Sequence, residues 1–244
     1  MSRDNARYVK VAEILQEEIA SLSPNVLLPS EHQLAKRFEV SRVTVRRALG
    51  LLERSGLVTR YPGRGTLVSP PKITRRLSPV ISFEEDLRDQ GIKFETQVSR
   101  YEPRSTPPPF IRERLHLPRG KSIGLLSLVR LVDGRVVGHD RHYFPPRIAA
   151  KFNPSMVIDG CVPEVLRGLA GMPIATVDWE TEIVPADREV AAALGITPGV
   201  LIAVNTGTEY LEDGEPIQVN IMAYRIDRVR FKFSMRYGLT GKDR

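Results

Sequence analysis

The 244-residue chain is predicted to be an α+β protein of two domains, a small helical one with a β-hairpin and a larger antiparallel sheet with helices. Three observations predict this. Residues 1–75 carry 13 Lys/Arg against 7 Asp/Glu, whereas residues 76–244 hold 23 against 22, so nearly all of the net charge of +7 sits in the first third. Helical periodicity fills that third, and strand-like sequence dominates the rest. Between them lies a proline-rich, basic stretch, Ser69-Pro70-Pro71-Lys72, Arg75-Arg76 and Ser78-Pro79, which reads as a stiff solvated connector. The expected division is therefore 1–70 for the first domain, 71–79 for the linker and 80–244 for the second.

Each domain is long enough to bury a core. The single cysteine, Cys161, excludes an intrachain disulfide, reads as a small buried residue and points to a reducing cytoplasm. The first 20 residues are charged throughout. No run approaches the roughly 18 apolar residues of a membrane span, so neither export nor a membrane partner is expected.

Taken in order, Tyr8, Val11, Leu15, Ile19 and Leu22 form one apolar stripe of a first helix, stopped at Ser21-Leu22-Ser23-Pro24. Ser30 caps a second helix, with Gln33 placed to complete a capping box; Leu34, Ala35 and Phe38 face inward. After Glu39-Val40, Ser41 caps a third helix reaching about Arg54. At about 100° per residue, Val45, Ala48, Leu49 and Leu52 gather on one side, and Arg42, Val43, Arg46 and Arg47 on the other. Arginines at a capped helix start oppose the helix dipole, an arrangement that calls for an anionic partner. Gly56 ends this helix. Leu57-Val58-Thr59-Arg60-Tyr61 and Thr66-Leu67-Val68 then flank Pro62-Gly63-Arg64-Gly65 as a hairpin whose glycines admit close approach to phosphate and whose Arg64 suits a minor groove.

That order is a winged helix-turn-helix. Leu28-Pro29-Ser30-Glu31, Val40-Ser41-Arg42-Val43-Thr44-Val45-Arg46-Arg47-Ala48-Leu49, Leu52-Glu53-Arg54-Ser55-Gly56-Leu57 and Gly63-Arg64-Gly65-Thr66 resemble the signature of GntR regulators. The resemblance implies DNA contact by Arg42, Thr44 and Arg46, with Ser41 and Arg47 beside them. It extends to the start of the second helix (Ser30, Glu31, His32) and to the wing (Gly63, Arg64, Gly65). Arginine is frequent in the family where His32 stands.

Residues 83–90 form a helix capped by Ser82 and ended by Gly91. Beyond it, Leu115, Leu117, Gly120 and Ile123 have counterparts 79 residues on, at Leu194, Ile196, Gly199 and Ile202; Asp133-Gly134 recurs 80 residues on as Asp213-Gly214. Each copy reads as a short helix, a glycine turn, a strand, an Asp-Gly hairpin and a returning strand. A duplicated α+β unit would join its hairpins in one antiparallel sheet with helices on one face and a ligand cleft between the copies.

Arg130-Leu131-Val132-Asp133-Gly134, His142-Tyr143-Phe144-Pro145, Gly214-Glu215-Pro216-Ile217-Gln218 and Tyr224-Arg225-Ile226-Asp227 resemble the UTRA effector domain of the HutC subfamily, similar in fold to chorismate lyase. The resemblance implies effector contacts by Arg130, Asp140, Gln218 and Tyr224, with His142, Tyr143 and Arg225 nearby. Leu128 stands where a second arginine is common, which argues against a sugar-phosphate pocket of the usual kind. Phe38-Glu39-Val40, Asp140-Arg141-His142-Tyr143-Phe144 and Phe233-Ser234-Met235 most resemble the phosphonate-utilisation branch. A small anionic metabolite, phosphonate or phosphate ester first, is the expected effector, with sugar phosphates, other sugars and organic acids as alternatives.

No cofactor or metal site is expected. His139 and His142, three apart on a strand, face opposite ways and do not converge on one ion. The resulting expectation is a homodimeric repressor, not an enzyme, reading a palindromic double-stranded operator. Two rivals are a lyase-like enzyme fused to a DNA-binding module and a sequence-independent nucleic-acid binder.

Overall fold

The computed structural model describes residues 3–76, 82–157, 162–171 and 173–234, so Ser78-Pro79, Cys161 and Met235 lie outside the described residues. The chain divides into two compact units, Met1–Ile73 with Ile226–Arg230, and Thr74–Arg225 with Phe231–Arg244.

In the first unit, α1 (Arg3–Ala20) lays Val11, Leu15 and Ile19 against Leu34, Val45, Leu49 and Leu52. Leu22, expected on the same stripe, lies past the helix end and is exposed. Helix α2 (Glu31–Arg37) opens on the anticipated capping box: the Gln33 amide donates to Ser30 Oγ at 3.3 Å, and the Ser30 amide to Gln33 Oε1 at 2.8 Å. Helix α3 (Arg42–Arg54) is capped by Ser41, which accepts from the Thr44 amide at 3.1 Å. Strands β1 (Val58–Tyr61) and β2 (Gly65–Val68) form the hairpin, with Tyr61 opposite Gly65.

Part of the expected connector is not a solvated linker. Ile73–Arg76 form β3, which pairs with the last described strand of the chain, and Ile73 and Arg75 are buried. The basic side chains find a carboxylate in α4 (Phe83–Asp89): Arg75 and Arg76 both pair with Asp86 at 2.6 Å.

The second unit continues with β4 (Phe94–Ser105), α5 (Pro109–Arg114), β5 (Ile123–Val132), β6 (Arg135–Phe144), α6 (Pro146–Ala149), a 3-10 turn at Pro154–Val157 and α7 (Val162–Ala170). Then come β7 (Ile174–Pro185), α8 (Arg188–Leu194), β8 (Leu201–Leu211), β9 (Pro216–Arg225) and β10 (Val229–Lys232), the partner of β3. The six long strands run antiparallel in the order β4-β5-β6-β9-β8-β7. That order mirrors the sequence duplication: β4-α5-β5-β6 and β7-α8-β8-β9 are the two copies, and their returning strands meet at the centre, with Asp140 opposite Met222. The glycine turns match too, Gly120 with φ +80° and Gly199 with φ +86°.

Helices cover both faces of this sheet, not one. Ile111 and Leu115 of α5 pack on Leu125, Tyr143 and Val219, and Val190 and Leu194 of α8 pack on Ile202 and Ala223. On the reverse face, Ile148 of α6 and Leu166 of α7 pack on Leu126, Leu128 and Phe144. Helix α4 joins that reverse face through Phe83, whose ring stacks 6.3 Å from Tyr224. The central strand β9 is accordingly buried along nearly its whole length, as a strand covered on both sides must be.

Candidate DNA interface and effector site

Backbone pairing holds the start of α2 to the wing. The Leu28 amide donates to Thr66 O at 2.8 Å, and the Val68 amide to Val26 O at 2.9 Å. Between α2 and the wing lies an open cleft of about 650 Å³, lined by Ser30, Glu31, Arg60, Gly63 and Arg64 among others. At its rim the wing tip is exposed, with Gly63 at φ +73° and Gly65 at φ +93°, values that a side-chain-bearing residue adopts only under strain. Arg64 lies over the Tyr61 ring, 5.6 Å from its centroid.

Arg42, Val43, Arg46 and Arg47 stand exposed on α3, and His32 is exposed on α2. Thr44 is different: it is buried, and its hydroxyl lies 2.8 Å from Ser41 Oγ, so it supports the cap instead of reaching outward. Glu31 is a bridge. Its carboxylate pairs with Arg46 at 3.0 Å and also with Arg60 of β1, tying α3 to the wing. The hydrogen bond from Arg46 holds the Glu31 carboxyl below its ordinary pKa. Arg60 was not anticipated; an arginine at a short strand's centre has no local signature that it will meet another element's carboxylate. Val43, 59% exposed at the start of α3, is the apolar residue of this face.

The second site is a row of buried polar side chains on the reverse face of the sheet. Strand register puts Arg130, Asp140, His142, Gln218 and Tyr224 on this one face, because paired positions share a face and residues two apart stay on it. Tyr143 and Arg225, expected with them, are on the other. Tyr143 packs with Ile111 and Leu115, and Arg225 Nη1 donates to Leu194 O of α8 at 3.4 Å. Both are one residue out of phase with the row, which in a strand reverses the side-chain direction.

Arg130 is not a free cation. It pairs with Asp140 at 2.7 Å and with Glu84 of α4, donates to Thr96 Oγ1 at 2.6 Å, and lies 5.0 Å from the Phe83 ring centroid. Burial opposes its charge, and the two carboxylates outweigh burial, so its pKa is raised. The expectation of an anionic effector drew on this arginine; two carboxylates already neutralise it.

Along the row, His142 Nδ1 lies 3.2 Å from Gln218 Oε1, and Gln218 Nε2 donates to Glu209 Oε1 at 2.9 Å. Asn220 Nδ2 donates to the same oxygen at 3.1 Å. Burial pushes the His142 imidazole down to about 4 and the Glu209 carboxyl up to about 7; Gln218, Arg167 of α7 and Asn220 hold the latter lower than burial alone would. Burial also lifts the Tyr224 phenol to about 12. Asp140 Oδ1, His142 Nε2, Glu209 Oε2, Asn220 Oδ1 and both amide atoms of Asn205 are buried without a hydrogen-bond partner. Orphaned buried polar atoms are rare in folded proteins, and a cluster of them on one face marks a place for a ligand.

Sequence reasoning missed Glu84, Thr96, Asn205, Glu209 and Asn220. Asn220 was legible in the alternation of Gln218, Asn220, Met222 and Tyr224 against Val219, Ile221 and Ala223. In β8 the run Asn205-Thr206-Gly207-Thr208-Glu209 is polar in both phases and hides which residues point to the row. Among the described residues, no three His, Cys, Asp or Glu side chains are grouped to hold a metal ion. Among the described residues, no helix is long and apolar enough to cross a membrane.

A capped, arginine-bearing helix beside a glycine-tipped wing, followed by a separate antiparallel sheet with a buried polar row, is the arrangement of a DNA-binding transcriptional regulator with a second domain. Comparison with known proteins places it more closely. The gntR family of bacterial regulatory proteins matches residues 7–68, and the UTRA domain matches residues 89–230. The chain belongs to the GntR regulators that carry a UTRA domain. It is similar to the transcriptional repressor NagR of Bacillus subtilis, 30% identical over 226 residues and 92% of each chain. It is also similar to the regulator TreR of that organism, 28% identical over 218 residues, 87% of this chain and 89% of the relative. Among solved structures, PhnF from Mycobacterium smegmatis aligns with a TM-score of 0.62 and 25% identity over 93% of this chain and 99% of its own.

Proposed function

We propose that this protein is a homodimeric, ligand-responsive repressor that occludes the promoter of a catabolic or uptake operon and acts by binding rather than catalysis. The observation that carries the reading is the face of α3: Arg42, Val43, Arg46 and Arg47 stand exposed behind the Ser41 cap, beside the wing arginine Arg64. Entry of this face into the major groove puts Arg42 and Arg46 at base edges. Ser30, Ser41 and the wing residues Gly63, Arg64 and Gly65 lie toward the backbone, with His32 and Arg47 flanking. Glu31 holds Arg46 in place, and Thr44 stiffens the cap. Two copies reading a palindrome would gain the specificity that one short half-site lacks. A repressor of this kind works where the chromosome is, in the cytoplasm.

The effector domain supplies the signal through a metabolite that binds two states of the dimer unequally. Arg130, Asp140, His142, Gln218 and Tyr224 form the effector site together with Glu209, Asn205 and Asn220. The sequence resemblance to the phosphonate-utilisation branch supports a phosphonate or related ester, and the leucine at position 128 weighs against a sugar phosphate; the neutralised Arg130 weighs against either anion.

Gel shifts test the regulator reading. DNA selected by this protein from a random pool should bind at least about 10³-fold more tightly than scrambled DNA at matched salt. Equal affinity would leave only a sequence-independent binder, and a retarded complex of one protomer per operator would remove the dimer.

A further inference from the structure

We infer that the ligand of the polar row is a small organic cation, an amine carrying further hydrogen-bond donors, and that Glu209 of β8 is the residue that selects it. This rests on reading the row as the effector site, and it names the chemistry that such a site accepts.

The hydrogen-bond chain assigns the free atoms. Gln218 gives its amide to Glu209 and so turns its oxygen toward His142, which makes His142 Nδ1 the donor and leaves Nε2 as a bare lone pair. Asn220 likewise gives its amide to Glu209 and leaves Oδ1 free. The unpartnered inventory is then Asp140 Oδ1, His142 Nε2, Asn220 Oδ1, Asn205 Oδ1 and Glu209 Oε2, against two donors, Asn205 Nδ2 and, at the Tyr224 end beside Phe83, Arg75 Nε. Such a surface accepts hydrogen bonds and offers almost none. A phosphate or phosphonate group, which offers mainly acceptors at pH 7.5, finds few partners there; an ammonium group, which is all donor, finds several.

Charge agrees with the inventory. Arg130 is matched by two carboxylates, Glu84 and Asp140, and the neighbouring Arg75 and Arg76 by Asp86 and Asp89, so these ion pairs leave one negative charge in excess before Glu209 is counted. The exposed Arg167 of α7 acts on Glu209 from outside the row.

An aromatic wall stands at the open edge. Gly207 lies opposite Asn220 and Trp179 in the sheet register, and a Cβ placed on Gly207 would come within 2.6 Å of Asn220 Oδ1 and 2.8 Å of the Trp179 ring. The glycine therefore lets the indole sit directly beside the acceptor row, 39% exposed. An indole face next to free acceptor oxygens is a favourable surround for a cation. Trp179 is also the only tryptophan of the chain, so it reports occupancy directly.

The test uses the full-length protein and two matched sets: glucamine, sorbitol and sorbitol 6-phosphate; ethanolamine, ethylene glycol and 2-hydroxyethylphosphonate. Thermal shift and Trp179 emission are titrated with each compound at pH 7.5. The amine of at least one set should bind ten-fold or more tightly than its neutral and anionic counterparts, and Glu209→Gln, which keeps an acceptor for Gln218 and Asn220, should remove most of that preference. An anion or neutral compound that binds as well as its amine overturns the inference, as does the lack of any shift by either amine or a preference unchanged in Glu209→Gln. Parallel gel shifts on selected DNA separate the two readings: specific DNA binding without amine preference overturns the ligand class alone, and loss of specific DNA binding overturns the regulator reading itself.

Discussion

Replacing Glu209 by Gln should stabilise the effector unit in a pH-dependent way. The carboxyl is buried, accepts hydrogen bonds only at Oε1, and has its pKa raised from 4.5 to about 7. The folded chain therefore retains a proton between those values that the unfolded chain has released, so stability falls as pH rises through this window. The displacement corresponds to about 3 kcal/mol lost by pH 8, at about 1.4 kcal/mol for each tenfold change. Gln is uncharged at every pH and keeps the oxygen that Gln218 and Asn220 use. The variant should match the parent near pH 4.5 and exceed it at pH 8 by about 6–12 °C in Tm, taking about 2–4 °C per kcal/mol for a domain of this size. His142, pushed down to about 4, titrates in both proteins and cancels in the difference. Thermal unfolding followed by Trp179 emission at pH 5 and pH 8 reads the effect in the unit concerned. A Tm difference independent of pH, or a less stable variant at pH 8, would refute the reasoning.

Three further outcomes are expected. Arg42→Ala should weaken binding to selected DNA by about 1–3 kcal/mol while leaving binding to scrambled DNA nearly unchanged, as competition gel shifts would show; an equal loss on both would make Arg42 a phosphate contact. Arg130→Ala should destabilise the effector unit by about 3–5 kcal/mol, because Glu84 and Asp140 would be left buried without their partner, and an unchanged Tm would contradict the ion-pair geometry. Gly56→Ala should lower stability by more than the roughly 1–2 kcal/mol of a left-handed residue, since φ is +77° and the new Cβ would collide with the Asp227 backbone; a loss below 1 kcal/mol in chemical denaturation would count against that packing.

The N-terminal unit was largely legible because its signals are local. Ser30 with Gln33, Ser41 ahead of three arginines, and Gly63-Arg64-Gly65 each act within a few residues, and caps and turns are decided over that range. The duplication was legible for a related reason: a repeated order of helix, glycine turn and Asp-Gly hairpin constrains topology, and the sheet order β4-β5-β6-β9-β8-β7 follows when the two copies meet through their returning strands.

What the tertiary structure decided concerns partners distant in sequence. The neutralisation of Arg130 depends on Glu84, 46 residues away, and its placement on Thr96, 34 away; the position of Arg46 depends on Glu31, 15 residues back. Strand alternation set Tyr143 and Arg225 on the face opposite the row, and the helices covering both faces buried Asn205, Glu209 and Asn220 within it. Periodicity tells which residues share a face, but not what covers that face. The sequence by itself thus determined a capped reader and a duplicated sheet, and only the packing of α4, α6 and α7 over one side decided that the row beneath is rich in acceptors and negative in charge.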